Sequence, residues 1–581
     1  MILQECSADE AAETMLFAAD AADSSFLSAA SEGNLPALSM TSGSEEGLSA
    51  IEEAFVLSLQ AGDAVPESGA LPRICWWQAG SGDYYLFLPS SLYEKGLFWQ
   101  FPRSAQVSID GRVILPDSRC TLSAGTHQLE VLQGGQTRCV PLHVMLSSQT
   151  ASLFLETASG GLETIHADKN ATVEGRFSLF DTAGSLNSSG KIDALKGRGN
   201  SSWTDTDKKS YQMKLAERTD LLSMGDSRKW LLLANAFDRS LLRNAAAFSM
   251  AEGFGLACTP QAKFADVYAN GQYIGNYLLS EKVEIDKNRI PITDLEKATE
   301  KVNEAKALEQ AQPFMTETGR LYSVKGVQIP VDPPDITGGY LLELETSDRY
   351  GLETSGFMTS RMQTVVIKSP EQASQAQASY IGLLYQDFED AVFSEDGKNP
   401  HTGLHYTEYI ALDSFAKKYL LEEICKNLDA AFTSQYLYKP ADSVSTRLFA
   451  GPAWDYDKAI AASGVTAEGI DLHDPDGLYA AQRTKDSDIW YALWQQADFR
   501  QRVSRIYWEN ARQTTQTVAT ALPLAARELL DSAMMNAARW ELFTEGETES
   551  EREALYLGCA DEMEDFLMKR LAYLDTQFTG G

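Results

Sequence analysis

The pattern of hydrophobic and polar residues differs between the first two segments of the chain, 1–67 and 68–148. Residues 1–67 are rich in alanine, serine and acidic residues, and only 45–60 shows helical spacing. This segment predicts an acidic leader or linker that is partly disordered. From 68 to 148, short alternating runs are separated by the turn pairs Asp110-Gly111 and Gly134-Gly135, which predicts a small β-sandwich that serves as an accessory domain. Its clearest strands are 84–88, 105–109 and 128–132.

The rest of the chain, 149–581, predicts one larger unit in two parts. Residues 149–290 are strand-rich and contain one helical stretch, 239–253, with apolar residues at helical spacing. Residues 291–581 are mainly helical, apart from an apolar strand at 339–344 and two short strand-like runs further on. A β-rich lobe followed by a helical lobe predicts an α+β fold with the layout of a bilobal nucleotide enzyme. The strands predicted in the first part are 152–155, 211–215, 230–233, 265–268 and 277–279.

Composition and charge narrow the class of partner. Aromatic residues make up 10% of the chain and apolar residues 44%, which is typical of a folded protein. The net charge of −33 argues against a nucleic-acid partner, because the chain lacks the excess of cations that phosphates require. It favours a basic or neutral partner, and attraction to a Lys-rich substrate would speed encounter. Solubility alone explains the same charge.

The targeting and cysteine patterns of the sequence give little further information about the location of the protein or about metal binding. No stretch approaches the roughly 20 apolar residues that span a bilayer, so no membrane span is expected. The first ten residues lack a basic region and an apolar region, so no signal peptide is visible; either the protein is cytoplasmic or a leader is missing. The seven cysteines have no zinc spacing, and free thiols are expected, although Cys120 and Cys139 flank a predicted hairpin and could pair.

Three aspartates carry the most informative chemistry. Asp455 and Asp457 lie two residues apart in the motif GPAWDYD, and on an extended segment both carboxylates would point the same way, towards one hard cation. Asp429 lies upstream, separated from the pair by the two strand-like runs. A catalytic acid, a metal-binding pair and a cleft are what phosphoryl transfer needs. Solvated turns account for most other Asp-x-Asp motifs.

A glycine-flanked turn and a strand lysine suggest an anion site. In KGRGNSSW at 196–203, glycines let backbone N–H groups approach an anion, and Arg198 adds a forked cation suited to phosphate. Lys214 follows on the predicted strand 211–215, on the face opposite Met213. A lysine there is well placed to bind α- and β-phosphates. An ordinary hairpin turn and a solvated strand lysine remain the alternatives.

Ordered sequence blocks resemble those of the spore-coat CotH-type kinases, and the resemblance spans roughly 149–581. The blocks follow one another in the order of that family, which chance would not easily produce. They are RGNSSW at 198–203, YQMKL at 211–215, WLLLAN at 230–235, SLLRN at 240–244, VYANGQYIG at 267–275, YLLSEK at 277–282, GGYLLE at 338–343, NLD at 427–429, YLYK at 436–439 and GPAWDYD at 451–457.

The resemblance implies an atypical protein kinase with a divergent bilobal kinase-like fold. It implies ATP and Mg²⁺ or Mn²⁺ as cofactors, and transfer to Ser or Thr of a coat or surface protein, expected to be Lys/Ser-rich. Asp429 would be the catalytic acid that accepts the hydroxyl proton, and Asp455 and Asp457 would hold the metal. Lys214 and Arg198 would bind the nucleotide phosphates. The family also implies a location in the spore coat or on the exterior of a bacterium.

Other positions fit the resemblance less directly. Glu281 would lie near the hinge, in the nucleotide cleft, whereas Arg243 and Asn244 are expected to be structural. Ordinary kinases have Asn five residues after the catalytic Asp; position 434 is Ser here, so Asp457 or Asn427 would replace that metal ligand.

Three other classes of protein were compared with the kinase interpretation. A glycosyltransferase would need repeated βα units ahead of the Asp-x-Asp motif, and a haloacid-type phosphatase would need a buried strand directly before it. Neither pattern is present. The stronger alternative is a catalytically silent structural or scaffold protein of the spore coat or cell surface. The joint presence of Lys214, Asp429, Asp455 and Asp457 favours the kinase.

Overall fold

The computed structural model describes residues 55–57, 71–158, 160–462, 471–482 and 488–578. Every described residue lies within the compact unit 50–581. The predicted leader therefore falls largely outside the described residues. Part of the helix predicted at 45–60 is wrong, because Phe55–Leu57 form a β-strand that pairs with two others.

The first described region contains two antiparallel-rich sheets. A three-stranded sheet has the order β2-β1-β5, and a six-stranded sheet has the order β3-β4-β9-β8-β6-β7. Asp110-Gly111 and Gly134-Gly135 both have positive φ at each residue, as two-residue hairpin turns require. The elements are β1 (Phe55–Leu57), β2 (Arg73–Ile74), β3 (Trp77–Gln78), β4 (Tyr84–Pro89), α1 (Ser90–Lys95), β5 (Leu97–Trp99), β6 (Gln106–Ile109), β7 (Arg112–Ile114), β8 (Gly125–Gln133) and β9 (Gln136–Ser147).

Seven strands then close into a barrel in the order β10-β11-β12-β13-β14-β16-β15. The barrel closes through a parallel pairing of β10 with β15, whereas its other pairs are antiparallel. The elements are β10 (Ala151–Thr157), α2 (Gly161–Ala167), β11 (Val173–Phe180), β12 (Leu186–Arg198), α3 (Ser201–Thr204), β13 (Ser210–Asp220), β14 (Asp226–Leu233), α4 (Arg243–Gly253), β15 (Ala262–Ala269) and β16 (Gln272–Glu281). The predicted strands of this region are confirmed, and the helix begins four residues later than predicted.

Because side chains alternate along each strand, one set fills the barrel interior and the other set lies on its outer face. Met213 and Trp230 are fully buried in the barrel interior with other apolar residues from the seven strands. On the opposite face of the same strands, Leu231, Leu233 and Leu278 pack into the large core formed with the following helices. The outer face of β14 and β16 is therefore where the barrel meets the second half of the chain.

The second half contains more β-structure than its sequence indicated. A seven-stranded sheet has the order β17-β18-β20-β21-β19-β22-β23, and the sequence predicted three of these strands. The strands are β17 (Pro313–Thr316), β18 (Ser323–Val327), β19 (Tyr340–Leu344), β20 (Gly356–Met358), β21 (Thr364–Ser369), β22 (Gln435–Lys439) and β23 (Phe449–Ala450). The helices are α5 (Leu295–Val302), α6 (Ala305–Glu309), α7 (Ser347–Leu352), α8 (Gln375–Val392), α9 (Leu412–Cys425), α10 (Ile489–Gln495), α11 (Ala497–Ile506), α12 (Arg512–Trp540) and α13 (Glu549–Gln577).

The long helix pair α12 and α13 connects the second half of the chain with the barrel and with the first described region. α12 and α13 pack against each other, and α12 also contacts strand β16 of the barrel and strand β9 of the first region. A capping box of Thr548 and Glu551 fixes the start of α13, because each side chain bonds the other's backbone N–H. The fold is thus mixed α+β, as predicted. Among the described residues, no helix has both the length and the apolar character needed to cross a membrane.

Candidate active site

A tight turn after α9 presents Asp429. The helix ends at Lys426, which adopts a left-handed conformation (φ 45°) and donates through its ammonium to backbone carbonyls of 471–476. The side-chain oxygen of Asn427 accepts the Asp429 backbone N–H at 3.3 Å, and the Asp429 carbonyl accepts the N–H of Phe432 at 3.1 Å. These bonds hold a half-buried Asp429 at the base of the turn.

The Asp-Tyr-Asp segment follows the β22–β23 hairpin and surrounds a buried tyrosine. The Tyr456 hydroxyl donates to Glu422 at 2.6 Å and accepts from Lys418 at 2.9 Å. Asp455 has φ 66°, so the segment is not the extended strand that the sequence suggested. The prediction that simple alternation aligns the two carboxylates is wrong. Both flanking aspartates are nevertheless half-buried on the same site.

The pKa shifts of Asp429 and Asp457 indicate that these carboxylates and that of Asp455 lie near one another. Burial, followed by the negative charge of Asp455, raises the pKa of Asp429 to about 7. Burial, followed by Asp455 and Asp429, also raises the pKa of Asp457 well above its ordinary value. Lys458 opposes both increases, and the Ser434 hydroxyl donates to Asp455 at 2.9 Å. Such crowding favours a site that receives positive charge.

The glycine-flanked turn after β12 lies against this carboxylate site. The Arg198 guanidinium lies 5.0 Å from the centroid of the Trp454 ring. Trp454 directly precedes Asp455 in the chain. Lys458, directly after Asp457, donates to the Ser201 hydroxyl at 3.3 Å. Gly199 has φ 94°, a conformation that favours glycine, and its carbonyl accepts from Lys169 at 2.9 Å. The barrel turn and the Asp-Tyr-Asp segment therefore contact each other directly.

A group of lysines lies near the glycine-flanked turn, at the edge of the barrel. The pairing of Trp230 with Glu281 places Lys229 beside Lys282, at the edge of the barrel facing the second half. The pKa of Lys282 is lowered to about 8, mainly by burial and also by the cations Lys229, Lys196 and Lys368, against the opposing effect of Glu284. Lys229 is paired with Glu284 at 2.9 Å. Within the described part of the chain, the half-buried Lys282 ammonium has no hydrogen-bond acceptor.

Two predicted site residues lie apart from the carboxylate group. Lys214 is exposed on the outer face of β13, and no described ion pair or hydrogen bond joins it to Asp429, Asp455 or Asp457. Glu281 points to the barrel interior beside Trp230, where it forms a buried ion pair with Arg289 and accepts the Gln261 backbone N–H at 2.9 Å. Among the described residues, the structure therefore shows no contact that joins Lys214 to the aspartates.

The structure brings forward cations that the sequence did not single out. Lys458 could have been found, because it directly follows Asp457. Arg349, on α7, opposes the rise in the pKa of Asp429 and donates to Thr433 at 3.2 Å. Lys169 and Lys282 come from distant segments and carry no local signal.

The carboxylates fit a cation only in part. In the described segments, no group of three or more His, Cys, Asp or Glu side chains is placed to hold a metal ion alone. Mg²⁺ commonly binds one or two carboxylates and takes its other ligands from water and substrate phosphates. The oxygen donors of Asp455 and Asp457 match that chemistry.

Comparison with known proteins identifies a family for this α+β fold. A family model described as CotH kinase protein matches residues 195–574. The match covers more than half of the chain, so the protein belongs to the CotH kinase family, as its sequence blocks predicted. The search of curated proteins found no match.

Proposed function

We propose that the protein is an atypical kinase that transfers the γ-phosphoryl group of ATP to Ser or Thr of another protein. The observation that supports this most is the position of three crowded carboxylates, Asp429, Asp455 and Asp457, at the end of a cationic cleft. The barrel and the second half of the chain would act as the two lobes of a kinase-like fold, with the cleft between them.

The order of charges along the cleft matches a nucleoside triphosphate. Lys282 neighbours Lys196, and Lys196 with Arg198 and Arg349 surrounds Lys169. Arg349 in turn neighbours Asp429. A row of cations that ends at carboxylates can bind a polyphosphate along its length, with its metal-bound end at the acids. Lys282 then takes the phosphate-binding role that the sequence gave to Lys214.

Each aspartate has a distinct role in the proposed reaction. Asp429 orients the substrate hydroxyl and accepts its proton, and a pKa near 7 suits a group that must gain and lose a proton at neutral pH. The hydroxyl oxygen bonds to the γ-phosphorus as the bond to the β–γ bridging oxygen breaks, and ADP leaves. Asp455 and Asp457 would hold Mg²⁺ or Mn²⁺, which neutralises charge on the phosphoryl oxygens when bound.

The protein substrate is proposed from charge. A chain with a net charge of −33 attracts a Lys/Ser-rich protein, and the family resemblance suggests a coat or surface protein of a bacterium. A silent scaffold is the second candidate. It is favoured by the lack, among the described residues, of three side chains placed to bind a metal by themselves.

The decisive experiment measures phosphate transfer from labelled ATP, with Mg²⁺ or Mn²⁺, to a Lys/Ser-rich protein. We expect incorporation that Asp429→Asn and Asp455→Asn reduce by about 10³-fold or more, as loss of a catalytic group does. Asp565→Asn is the matched control, because its side chain is 62% exposed on α13. Labelling that is equal in the variants and the wild type, or absent in the wild type, contradicts the kinase proposal and supports the scaffold.

A further inference from the structure

The first turn of α4 contacts the Asp-Tyr-Asp segment directly. The side-chain oxygen of Asn244 accepts the backbone N–H of Tyr456 at 2.8 Å. Its amide nitrogen donates to Asn235 at 3.1 Å, so the orientation of the amide is fixed. Asn244 is 4% exposed, so these two hydrogen bonds are shielded from water. This one side chain therefore joins α4 to the peptide between the two aspartates.

Arg243 contacts the chain just after the Asp-Tyr-Asp segment. Its guanidinium donates to the carbonyl of Ala459 at 2.9 Å and to that of Ala461 at 3.2 Å. Asp238 fixes the guanidinium through a buried ion pair, and also accepts the Arg243 backbone N–H at 2.8 Å. The contacts from α4 thus lie on both sides of Asp457.

The opposite side of the segment is fixed by α9. The Tyr456 hydroxyl is held by Glu422 and Lys418, and the Ile460 N–H donates to the Cys425 carbonyl at 2.8 Å. With α9 holding the side chain and α4 the backbone, the Asp455–Tyr456 peptide has one orientation.

That peptide orientation determines where Asp455 points. The N–H of Tyr456 lies in the peptide plane that follows Asp455, so a bond to it fixes the ψ angle of Asp455. A left-handed aspartate costs about 1 kcal/mol and persists where the surroundings impose it. Asn244 supplies that constraint on the backbone side.

We propose that Asn244 is a positioning residue that holds Asp455 and Asp457 in the arrangement that binds one divalent cation. This inference rests on the proposed kinase function. Arg243 supports the same arrangement from its second side. Without the Asn244 oxygen, the Tyr456 N–H is buried without its acceptor, the peptide rotates, and Asp455 leaves the left-handed conformation.

The test compares Mn²⁺ affinity of the full-length protein, measured by the EPR signal of free Mn²⁺ with and without ADP. Asn244→Leu keeps the approximate side-chain size and removes the acceptor. We expect its Mn²⁺ dissociation constant to rise about 10-fold or more, the size of effect seen when a group supporting a metal ligand is removed. Metal-free ADP affinity should stay within about twofold, because no phosphate contact is lost. Ser249→Ala, on the exposed side of α4, is the matched control.

Thermal unfolding separates positioning from loss of fold. If Asn244→Leu unfolds, Arg243→Lys, which keeps the charge but loses the forked contacts, is measured instead, and we expect a weaker Mn²⁺ affinity for it too. Unchanged Mn²⁺ affinity in a folded variant overturns this inference and leaves the kinase proposal standing. Failure of the wild type to bind Mn²⁺ overturns the metal site of the kinase proposal itself.

Discussion

The guanidinium of Arg198 lies over the indole ring of Trp454, 5.0 Å from the ring centroid. Arg198 is the last residue of β12 in the barrel, and Trp454 directly precedes Asp455 in the second half of the chain. One cation–aromatic contact therefore links the glycine-flanked turn to the acidic site. It places a positive charge next to the segment that carries Asp455 and Asp457, and under the proposed function this charge would face a phosphate of ATP.

Replacing Arg198 should weaken ATP binding without unfolding the protein. Arg198→Gln removes both the contact with Trp454 and a cation of the cleft, and a cation–π contact contributes about 0.5–2 kcal/mol. We expect the KM for ATP to rise at least about threefold. Arg176→Gln, at an exposed position of β11 in the same barrel, should leave KM unchanged. Equal KM values for both variants would show that Arg198 does not face the nucleotide.

Replacing Lys282 should weaken nucleotide affinity much more than replacing Lys214. Lys282→Met should raise the dissociation constant of metal-free ATP about 10-fold, because it removes a charged hydrogen bond worth about 1.5–3 kcal/mol. Lys214→Met should change it less than about twofold, since the exposed charge of Lys214 is screened by solvent. Calorimetric titration measures both values. The reverse order of effects would restore Lys214 as the phosphate ligand.

ATP affinity should also depend on pH through Lys282. Its pKa is lowered to about 8, so the ammonium is charged at pH 7 and loses its proton as the pH rises towards 9. The wild type should therefore bind metal-free ATP more weakly at pH 9 than at pH 7, and bound phosphate should shift the loss to higher pH. Lys282→Met should remove most of this difference. A pH dependence that is the same in the variant would assign it to another group.

Glu389 should make stability decrease with rising pH. Burial raises its pKa to about 7, while Thr359 and Gln386 donate to its carboxyl group. Between its ordinary pKa and pH 7 the folded state keeps a proton that the unfolded state has released, so the free energy of unfolding falls as pH rises through this window. Glu389→Gln should remove up to about 3 kcal/mol of that fall, from the size of the pKa shift. Urea unfolding at pH 5 and pH 8 measures it, and parallel pH profiles would contradict it.

Two neighbouring residues of α13, Arg570 and Lys569, allow the stability contribution of a buried ion pair to be compared with that of an exposed one. Arg570 and Glu423 form an ion pair with both side chains 0% exposed, and Arg570 also donates to the carbonyl of Gly477 at 2.6 Å. Arg570→Met should reduce the free energy of unfolding by roughly 3–5 kcal/mol, because it leaves a buried charge uncompensated. Lys569→Met breaks an exposed pair with Asp565 and should cost less than about 1 kcal/mol. Similar losses from both variants in urea unfolding would contradict this.

Local patterns in the sequence predicted local structure well. The strand at 211–215 alternates as expected, with Met213 buried and Lys214 exposed, and the turn at Asp110-Gly111 has the expected left-handed residues. All six cysteines of the described residues are free, including Cys120 and Cys139. These features depend on neighbours in the chain, so a linear pattern contains them. The domain boundary near 148 and the roles of the predicted site residues stay predictions.

The sequence by itself determined the α+β class, the family and the three aspartates, because residue type and order carry that information. Only the tertiary structure decided which cations face those aspartates. Lys458 and Arg349 do, whereas Lys214 is exposed without a described contact to the aspartates and Glu281 is paired with Arg289. The structure also replaced an extended Asp-Tyr-Asp segment by one bent at Asp455, since Asn244 and the buried Tyr456 override local backbone preference. Contacts between residues more than 200 positions apart leave no periodic trace in a single sequence.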